Sequence, residues 1–486
     1  MTLELPPKFT FDRIRMSNAR PMKTKNKPVF TRSKLLGSLL LAFISPAQAQ
    51  SAEELAAQLK ALREDLLQVR AELEILKKSK AADQAPALTQ TMPRESAPSA
   101  INAPSFIPPS APALATAPAA APTLTSAPVQ GASAGTSPIS LFGYGELNFV
   151  RPRGNASGAI ATARRGVLGI GYRFNERTRL VAELEVENAV VSAGDQGEVA
   201  FEQLYIEHDI NDRLSAKIGL FLMPVGYLNE VHEPTKYFGV TRNLIETAII
   251  PSTWRELGLG LRGTLENGLR WDAGLVTSFN LGKWDANSSD GKASPLGSIH
   301  QEGQLAKAAS LAAYAALNYN GIPGLNLGGS LYHGGAGHRQ AGFAAASSGI
   351  TLTEVHARWQ PGRWDLSALL ANGRFNDIAA LNSTFAGLAT PVPNSFGGWY
   401  MQAAYKLWKQ GDYSLVPFTR YERLNTAKGY SGLPTGLSPA IDPDTRVLTF
   451  GTSFYLNPQV VLKADFQRYL NNSSLDRFSL GVGFHY

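Results

Sequence analysis

The densest chemistry in this chain of 486 residues lies between Met223 and Thr253. That stretch of about thirty residues carries Glu230, His232, Glu233, Lys236, Tyr237, Arg242 and Glu246, and Trp254 and Arg255 follow at once. Interleaved carboxylates and cations can do two things. They can brace a loop through ion pairs, which is the commoner role residue by residue. They can also face one another across a narrow, partly dewatered passage, where Lys236, Arg242 and Arg255 set against Glu230, Glu233 and Glu246 would produce a transverse field that orders polar solutes. Tyr227, Tyr237 and Trp254 fit either an aromatic path for sugars or the packing of a loop against a wall. The signs of an enzyme are missing. The seven histidines are scattered, and neither G-x-S-x-G nor H-E-x-x-H occurs. His333 and His338 flank a glycine run with no acidic partner at ligand spacing, so no metal, no cofactor and no catalytic residue is expected.

The elements that must hold this stretch are strands. Before it, Leu214, Ala216, Ile218, Leu220 and Leu222 alternate with Ser215, Lys217, Gly219 and Phe221. After it, Leu257, Leu259 and Leu261 alternate with Glu256, Gly258, Gly260 and Arg262, the period of a strand with one apolar face. From residue 138 onward the pattern predicts sixteen strands: 139–150, 162–174, 178–190, 200–210, 213–222, 254–265, 268–280, 308–320, 325–334, 350–360, 363–373, 397–409, 412–423, 445–456, 459–470 and 474–486. Tight turns such as Asn211-Asp212, Pro361-Gly362 and Asn457-Pro458 alternate with longer polar loops, of which 223–253 is the third. An even count with short and long connections in alternation is the mark of an antiparallel transmembrane β-barrel, with the long loops outside. A soluble sandwich has Greek-key crossovers and no reason to alternate.

The two faces of the predicted strands differ in chemistry. Glu183, Glu185 and Glu187 share one face of the third strand, which suits a water-filled interior and not lipid or a dry core. Lys217, Arg262, Asp272, Arg358, Lys463 and Asp465 fall on the corresponding face of their own strands and complete the expected lining. Trp359, Trp364 and Trp408 are candidates for an interfacial girdle. Phe478, Leu480, Val482, Phe484 and Tyr486 alternate to the final residue.

Upstream the texture changes. Residues 22–49 read as a signal peptide: Lys23, Lys25, Lys27, Arg32 and Lys34 precede an apolar run, Leu35–Ile44, and Ala47-Gln48-Ala49 forms a cleavage site. Residues 1–21 have no role in that scheme and read as an extension ahead of a true start at Met22 or Met16. In 50–80, Leu55, Leu59, Leu62, Leu66, Val69, Leu73 and Leu76 are spaced alternately by four and three, which predicts a coiled-coil helix, the alternative being an amphipathic helix packed on its own domain. Residues 81–137, rich in Ala, Pro, Ser and Thr, read as a disordered linker able to reach up to about 170 Å, with or without a spacing role. The barrel occupies 138–486. Nine of the 46 Lys and Arg and two of the 39 Asp and Glu lie in 1–49, which leaves 37 of each sign beyond it. The net charge of +7 therefore belongs to the leader and points to no nucleic-acid partner. The absence of cysteine removes disulfides and thiolate metal sites.

The terminal Phe484-His485-Tyr486, the strand-rich region 138–486 and the segment Pro224–Gly226 through Glu233-Pro234, Tyr237–Gly239, Arg242-Asn243, Ile249–Trp254 and Gly258 together resemble bacterial outer-membrane porins. The chain is similar to the phosphate-selective porin O and P type family and to related porins with an N-terminal coiled coil. The resemblance implies a homotrimer of sixteen-stranded barrels in outer-membrane lipid, with the third extracellular loop folded inward. It implies passive diffusion of small hydrophilic solutes or ions, phosphate, other anions or sugars among them. It implies also a C-terminal strand read by the barrel-assembly machinery and a coiled coil in the periplasm. Phosphate-selective members present a basic ladder, whereas the lining here mixes signs. The alternative is an envelope tether that joins the outer membrane to peptidoglycan through the coiled coil; an outer-membrane hydrolase ranks last. Mass spectrometry of the mature protein is expected to show an N-terminus at Gln50, and a start well upstream would overturn the signal-peptide reading.

Overall fold

The computed structural model describes residues 137–486, except 193, 194, 196 and 440–443. The expected signal peptide, coiled coil and linker lie outside the described residues. Within them the chain runs β1 (Ile139–Pro152), β2 (Ile160–Arg173), β3 (Thr178–Glu187), β4 (Val199–Asn211), β5 (Leu214–Leu222), β6 (Arg255–Thr264), β7 (Leu269–Thr277), β8 (Leu311–Tyr319) and β9 (Leu325–Gly335). It continues through β10 (Gly349–Trp359), β11 (Trp364–Asn376), β12 (Ser395–Tyr405), β13 (Trp408–Gln410), β14 (Tyr413–Gly429), β15 (Thr445–Asn457), β16 (Val460–Tyr469) and β17 (Arg477–His485). β12 and β13 both pair with β14 and are two parts of one stave, so seventeen segments make the sixteen staves expected.

Every stave is antiparallel to its sequence neighbours, and β1 pairs with both β2 and β17. The sheet is closed. The closing register sets Tyr144 opposite His485 and Phe149 opposite Leu480. Closure leaves no edge with unpaired amide and carbonyl groups, the condition for strands to cross lipid. No described helix is long and apolar enough to do so.

Strand ends differ from expectation by up to three residues in most staves, and by more at two places. The twelfth stave breaks at Lys406-Leu407, before its turn, and β14 runs to Gly429, six residues past the expected end at 423. The extension is inward-buried at Leu424 and Ala427, where loops above the barrel cover it. Polar spacing there resembled a loop because the partner surface comes from elsewhere in the chain.

The alternation resolves into two faces. Leu168, Leu184, Ile218, Leu259, Leu275, Leu317, Leu370, Met401 and Leu480 stand exposed on the outward row. Glu183, Glu185, Glu207, Lys217, Arg262, Asp272, Glu354, Arg358, Glu422, Lys463 and Asp465 are buried on the inward row. Trp359, Trp364 and Trp408 are exposed near the short turns, and the Trp364 ring lies 4.8 Å from that of Tyr405. This matches the expected girdle.

The interior is not polar throughout. Toward the long loops, Phe221, Val276, Tyr332, Ile350, Phe375 and Phe396 point inward and pack with Ile245, Ile249 and Trp254 of the insert into one apolar core. Phe279, Trp284, Leu296 and Ile299, from the long connection between β7 and β8, join it.

A charge placed on the outward row should be costly. Leu259→Arg, in mid-strand, is expected to lower stability by about 2–4 kcal/mol in bilayer-reconstituted denaturant titrations. An effect below about 1 kcal/mol would mean that this row does not face hydrocarbon.

Candidate functional site

The segment between β5 and β6 folds into the barrel and touches most of its circumference. Two wall glycines admit it. A Cβ at Gly483 would lie 2.6 Å from Pro234 Cβ, and one at Gly398 would lie 2.8 Å from Ile245 Cδ1. A side chain at Gly483 would meet the Pro234 ring and backbone directly, and one at Gly398 would crowd Ile245 as well as the neighbouring stave at Arg423 and Leu424.

Polar side chains then pin the segment at four places. Against β5–β7, Glu230 Oε1 accepts from Arg262 and Oε2 from Arg270 Nη2 at 2.8 Å, with Lys217 Nζ 3.7 Å away. Against β3 and β4, His232 Nε2 lies 3.2 Å from Glu202 Oε2 and 3.7 Å from Glu183 Oε2. Against β1, β15, β16 and β17, Tyr237 Oη donates to Glu146 at 3.0 Å, and the Val240 amide to Asp465 at 2.6 Å. Lys463 Nζ donates to the Gly239 carbonyl at 2.9 Å and stands 3.4 Å from the Tyr237 ring centre. Thr235 Oγ1 lies 2.7 Å from His485 Nδ1. Against β10–β14, Arg358 Nη1 donates to Tyr227 Oη at 2.7 Å, Tyr400 Oη to Glu246 at 3.3 Å, and the Leu244 amide to Glu422.

Inside the insert, Ile245–Ile249 forms a wide π-helical turn. Glu246 ties it together, accepting from the Leu228 amide and from Asn243 Nδ2, each at 2.8 Å. Asn229 bridges the insert's two ends: its Nδ2 donates to the Met223 and Trp254 carbonyls, and its Oδ1 accepts from the Trp254 amide, each at 2.8 Å.

The expected constriction residues therefore separate into groups. Glu230 and Tyr237 engage the wall; Glu246 braces the turn and also meets Tyr400. Glu233 and Lys236 pair with each other at 3.6 Å. Arg242 donates to Ser252 and, at 3.3 Å, to Thr253, while its Nε and Nη2 have no hydrogen-bond partner. Trp254 is fully buried against Phe279 and Tyr332, with ring centres at 5.0 and 4.7 Å, and donates to Glu256 at 3.1 Å. Arg255 takes the register row of Leu257 and Leu259 and pairs with Glu302 at 3.0 Å.

The expected lining residues all take the inward row. Glu185 and Glu187 receive Arg165 at 2.8 and 3.0 Å, and Glu183 accepts from Gln203 at 2.7 Å. Arg262 pairs with Asp272, and Arg358 Nε with Asp365 at 2.8 Å. Glu146, Arg165, Glu202, Arg270, Tyr400 and Arg420 were not singled out from the sequence. The signal for the others was strand parity, which sets each on the inward row; Glu202 is turned inward by a β-bulge beside Gln203, which alternation does not announce.

Charge states in the insert follow from these neighbours. Burial alone would raise the Glu230 carboxyl, but Arg262, Arg270 and Lys217 hold it well below the usual range. Burial pushes Glu246 up to about 7. Burial, with Arg165 nearby, pulls Arg242 down to about 9. His232 is disfavoured as a cation by burial, yet Glu202 and Glu183 raise its pKa. Glu183, Glu202 and His232 form the metal-capable group among the described residues. Hydrogen bonds account for it, since Tyr144 Oη donates to both Glu202 oxygens at 3.2 and 3.1 Å and Gln203 satisfies Glu183.

A narrow cavity remains between the insert and β10–β14. Tyr227, Lys236, Tyr237 and Asn243 line one side; Arg358, Ser367, Tyr400, Gln402 and Arg420 line the other. No carboxylate lines it. Arg420 Nη2 has no hydrogen-bond partner, and Gln402 Oε1 accepts from Arg420 Nη1 at 3.3 Å.

No family model matches the chain. An uncharacterized protein of Aquifex aeolicus is 29% identical over 342 residues, 68% of this chain and 75% of that protein. Among solved structures, OmpF of Salmonella typhi in complex with daunomycin is similar at 14% identity and a TM-score of 0.47, over 72% of this chain and 97% of that one. The outer-membrane channel DcaP of Acinetobacter baumannii follows at 12% and 0.45, over 72% and 97%. The anion-selective porin from Comamonas acidovorans stands at 13% and 0.41, over 72% and 98%.

The docking of the insert should depend on pH. A carboxyl raised from 4.5 to about 7 binds more protons when folded, so its contribution weakens as pH rises through that interval. The raised His232 acts in the same sense, its contribution present below its ordinary pKa and lost as pH rises through the raised one. Thermal unfolding of the full chain across this range should show a loss of up to about 3 kcal/mol that Glu246→Gln largely lacks. Parallel pH profiles for the two proteins would rule the Glu246 contribution out.

Proposed function

We propose that the chain is an outer-membrane porin: a passive channel for small hydrophilic solutes, narrowed by the inward-folded segment 223–254 and preferring anions at its narrowest part. The observation that carries this reading is the closed barrel with an apolar outer row and a charged inner row. Such a wall separates lipid from a polar passage and needs no chemical step.

The preference for anions rests on how the charges are spent. The interior carries both signs, but Glu230, Glu185, Glu187, Asp272 and Asp365 are matched by Arg262, Arg270, Arg165 and Arg358. Lys236, Arg358 and Arg420 face the cavity beside the insert with Tyr and Gln side chains, and the carboxylates that pair with them, Glu233, Asp365 and Glu422, stand outside its lining. A desolvated passage lined by cations lowers the barrier for an anion and raises it for a cation. Phosphate is one anion this chemistry accepts.

The same reading includes its partners. The outward face from β2 to β8 is apolar toward the long loops, a surface suited to a homotrimer. The outward row Phe478, Leu480, Val482, Phe484 and Tyr486 would be engaged by the barrel-assembly machinery. The N-terminal region would sit in the periplasm, with peptidoglycan as a candidate contact.

Planar-bilayer recording in asymmetric KCl tests the reading. Discrete conductance steps are expected, with a reversal potential of anionic sign. Lys236→Gln combined with Gln402→Glu keeps the acceptor for Arg420 and lowers the net charge of the lining by two units, removing one cation and adding one anion. It should shift the reversal potential toward cations by several-fold in permeability ratio. An unchanged reversal potential would place the passage elsewhere, and no conductance at all would overturn the channel.

A further inference from the structure

Register places an arginine on the outward face of most staves along one side of the barrel, at the end that carries the long loops. In β11 the outward row runs Leu370, Asn372, Arg374, and Arg374 is exposed. In β14 it runs Tyr421 to Arg423, whose cross-strand partner is Arg446 of β15. In β16, Arg468 stands opposite Leu448, one outward step below Arg446. In β1, Arg151 stands opposite the outward Phe478 of β17. Arg374, Arg446, Arg468 and Arg151 each lie within two residues of the long-loop end of their strands. All five are exposed. Lys428 joins them, its Nζ 3.2 Å from Asn372 Oδ1 beside Arg374.

This row has one acid against it. Asp444 pairs with Arg423. No carboxylate lies within ion-pairing distance of Arg151, Arg374, Arg446 or Arg468 among the described residues. Level with the row and below it stand aromatic rings: Trp399, opposite Arg423, has its centre 5.5 Å from that of Tyr421 one step below, and Phe450 and Phe466 lie at 5.5 Å. Phe478 and Phe450 are exposed. In β1 the outward order toward the rim is Leu147, Phe149, Arg151, and in β16 it is Leu462, Ala464, Phe466, Arg468. The other side differs. From β2 to β8 the outward positions near the long loops are Ala163, Val186, Val199, Leu257 and Leu311, with Arg255 covered by its pair with Glu302.

We infer that this arginine row, Arg151, Arg374, Arg423, Arg446 and Arg468 with Lys428, is a binding site for phosphorylated lipid headgroups in the leaflet on the long-loop side. Guanidinium groups bind phosphate oxygens in pairs, and they do so most strongly at an interface where water is scarce. The aromatic band fixes the depth at which the side chains emerge, which is headgroup level. Two copies of the chain meeting through this face would bring like charges together with a single acid to offset them, and the apolar face from β2 to β8 has no such penalty. The site lies on the outer wall and does not depend on conductance through the interior.

Native mass spectrometry of the folded full-length protein in detergent, with lipid A and with chemically dephosphorylated lipid A as probes, tests the assignment. The parent should retain lipid A and lose it with added salt, and should bind the dephosphorylated form at least about tenfold more weakly. Arg151→Gln/Arg446→Gln/Arg468→Gln should weaken lipid A retention by at least about tenfold, whereas Arg173→Gln/Arg177→Gln, at the short-turn end, should not. Should the triple variant fail to give the heat-modifiable folded band, single Arg446→Gln and Arg446→Lys take its place, with Lys retaining more lipid than Gln. Equal binding of the two lipids, or an unchanged triple variant, overturns the proposal. A variant that changes subunit number but not lipid retention overturns it as well, and assigns the face to a second copy. Because retention is read without current, failure here is distinguishable from failure of the channel.

Discussion

Every feature of this protein depends on one constraint, which is that a backbone in hydrocarbon must satisfy all its hydrogen bonds within the protein. Sixteen staves do so by closing on themselves, with β1 bonded to β17. Closure fixes two environments, lipid outside and an enclosed space within, and a strand period of two then sorts each side chain into one or the other. The charged groups of the interior are consequences of that sorting. Glutamates such as Glu183 and Glu185 are tolerated because the inner row offers them Gln203 and Arg165.

An enclosed space sixteen staves round is wide unless something fills it. The segment 223–254 fills it in two different ways. Its polar half, from Glu230 to Val240, ties to the wall through charge pairs at Glu230 and His232 and hydrogen bonds at Thr235, Tyr237 and Val240. Its apolar half, from Ile245 to Trp254, packs with inward rings into a core of the kind found in soluble domains. The first half can yield to ions and protons; the second can yield only at Glu246, the one titratable group in it. The rigid half therefore sets where the adjustable half stands, and the cation-lined gap beside β10–β14 is left where the two meet.

Much of this was legible in the residues. Alternation around Leu214–Leu222 and Leu257–Leu261, together with alternating loop lengths, was enough for the barrel, its strand number and the third loop as the insert. Parity in single strands was enough for the inward positions of Lys217, Arg262, Arg358 and Lys463. Contacts between distant segments were not legible. Nothing near Glu230 announces Arg262 and Arg270, and nothing near Tyr237 announces Glu146, because barrel curvature brings them together. Trp254 illustrates the limit. An aromatic at a passage and an aromatic in a core have the same letter, and only Phe279 and Tyr332 decide between them. Arg255 is a second case, since one step of parity separates it from the inward Trp254 and Glu256.

The β1–β17 seam has a consequence for how such a chain comes into being. Its first and last staves are each other's neighbours, so the ring cannot shut until the final residues exist and have reached the membrane. A polypeptide cut short at any point exposes two strand edges, each a template for the wrong partner. The pairing that joins the ends carries the largest loop-closure cost of any in the wall. Closure of the wall therefore waits on its last stave, whatever the state of the other fifteen.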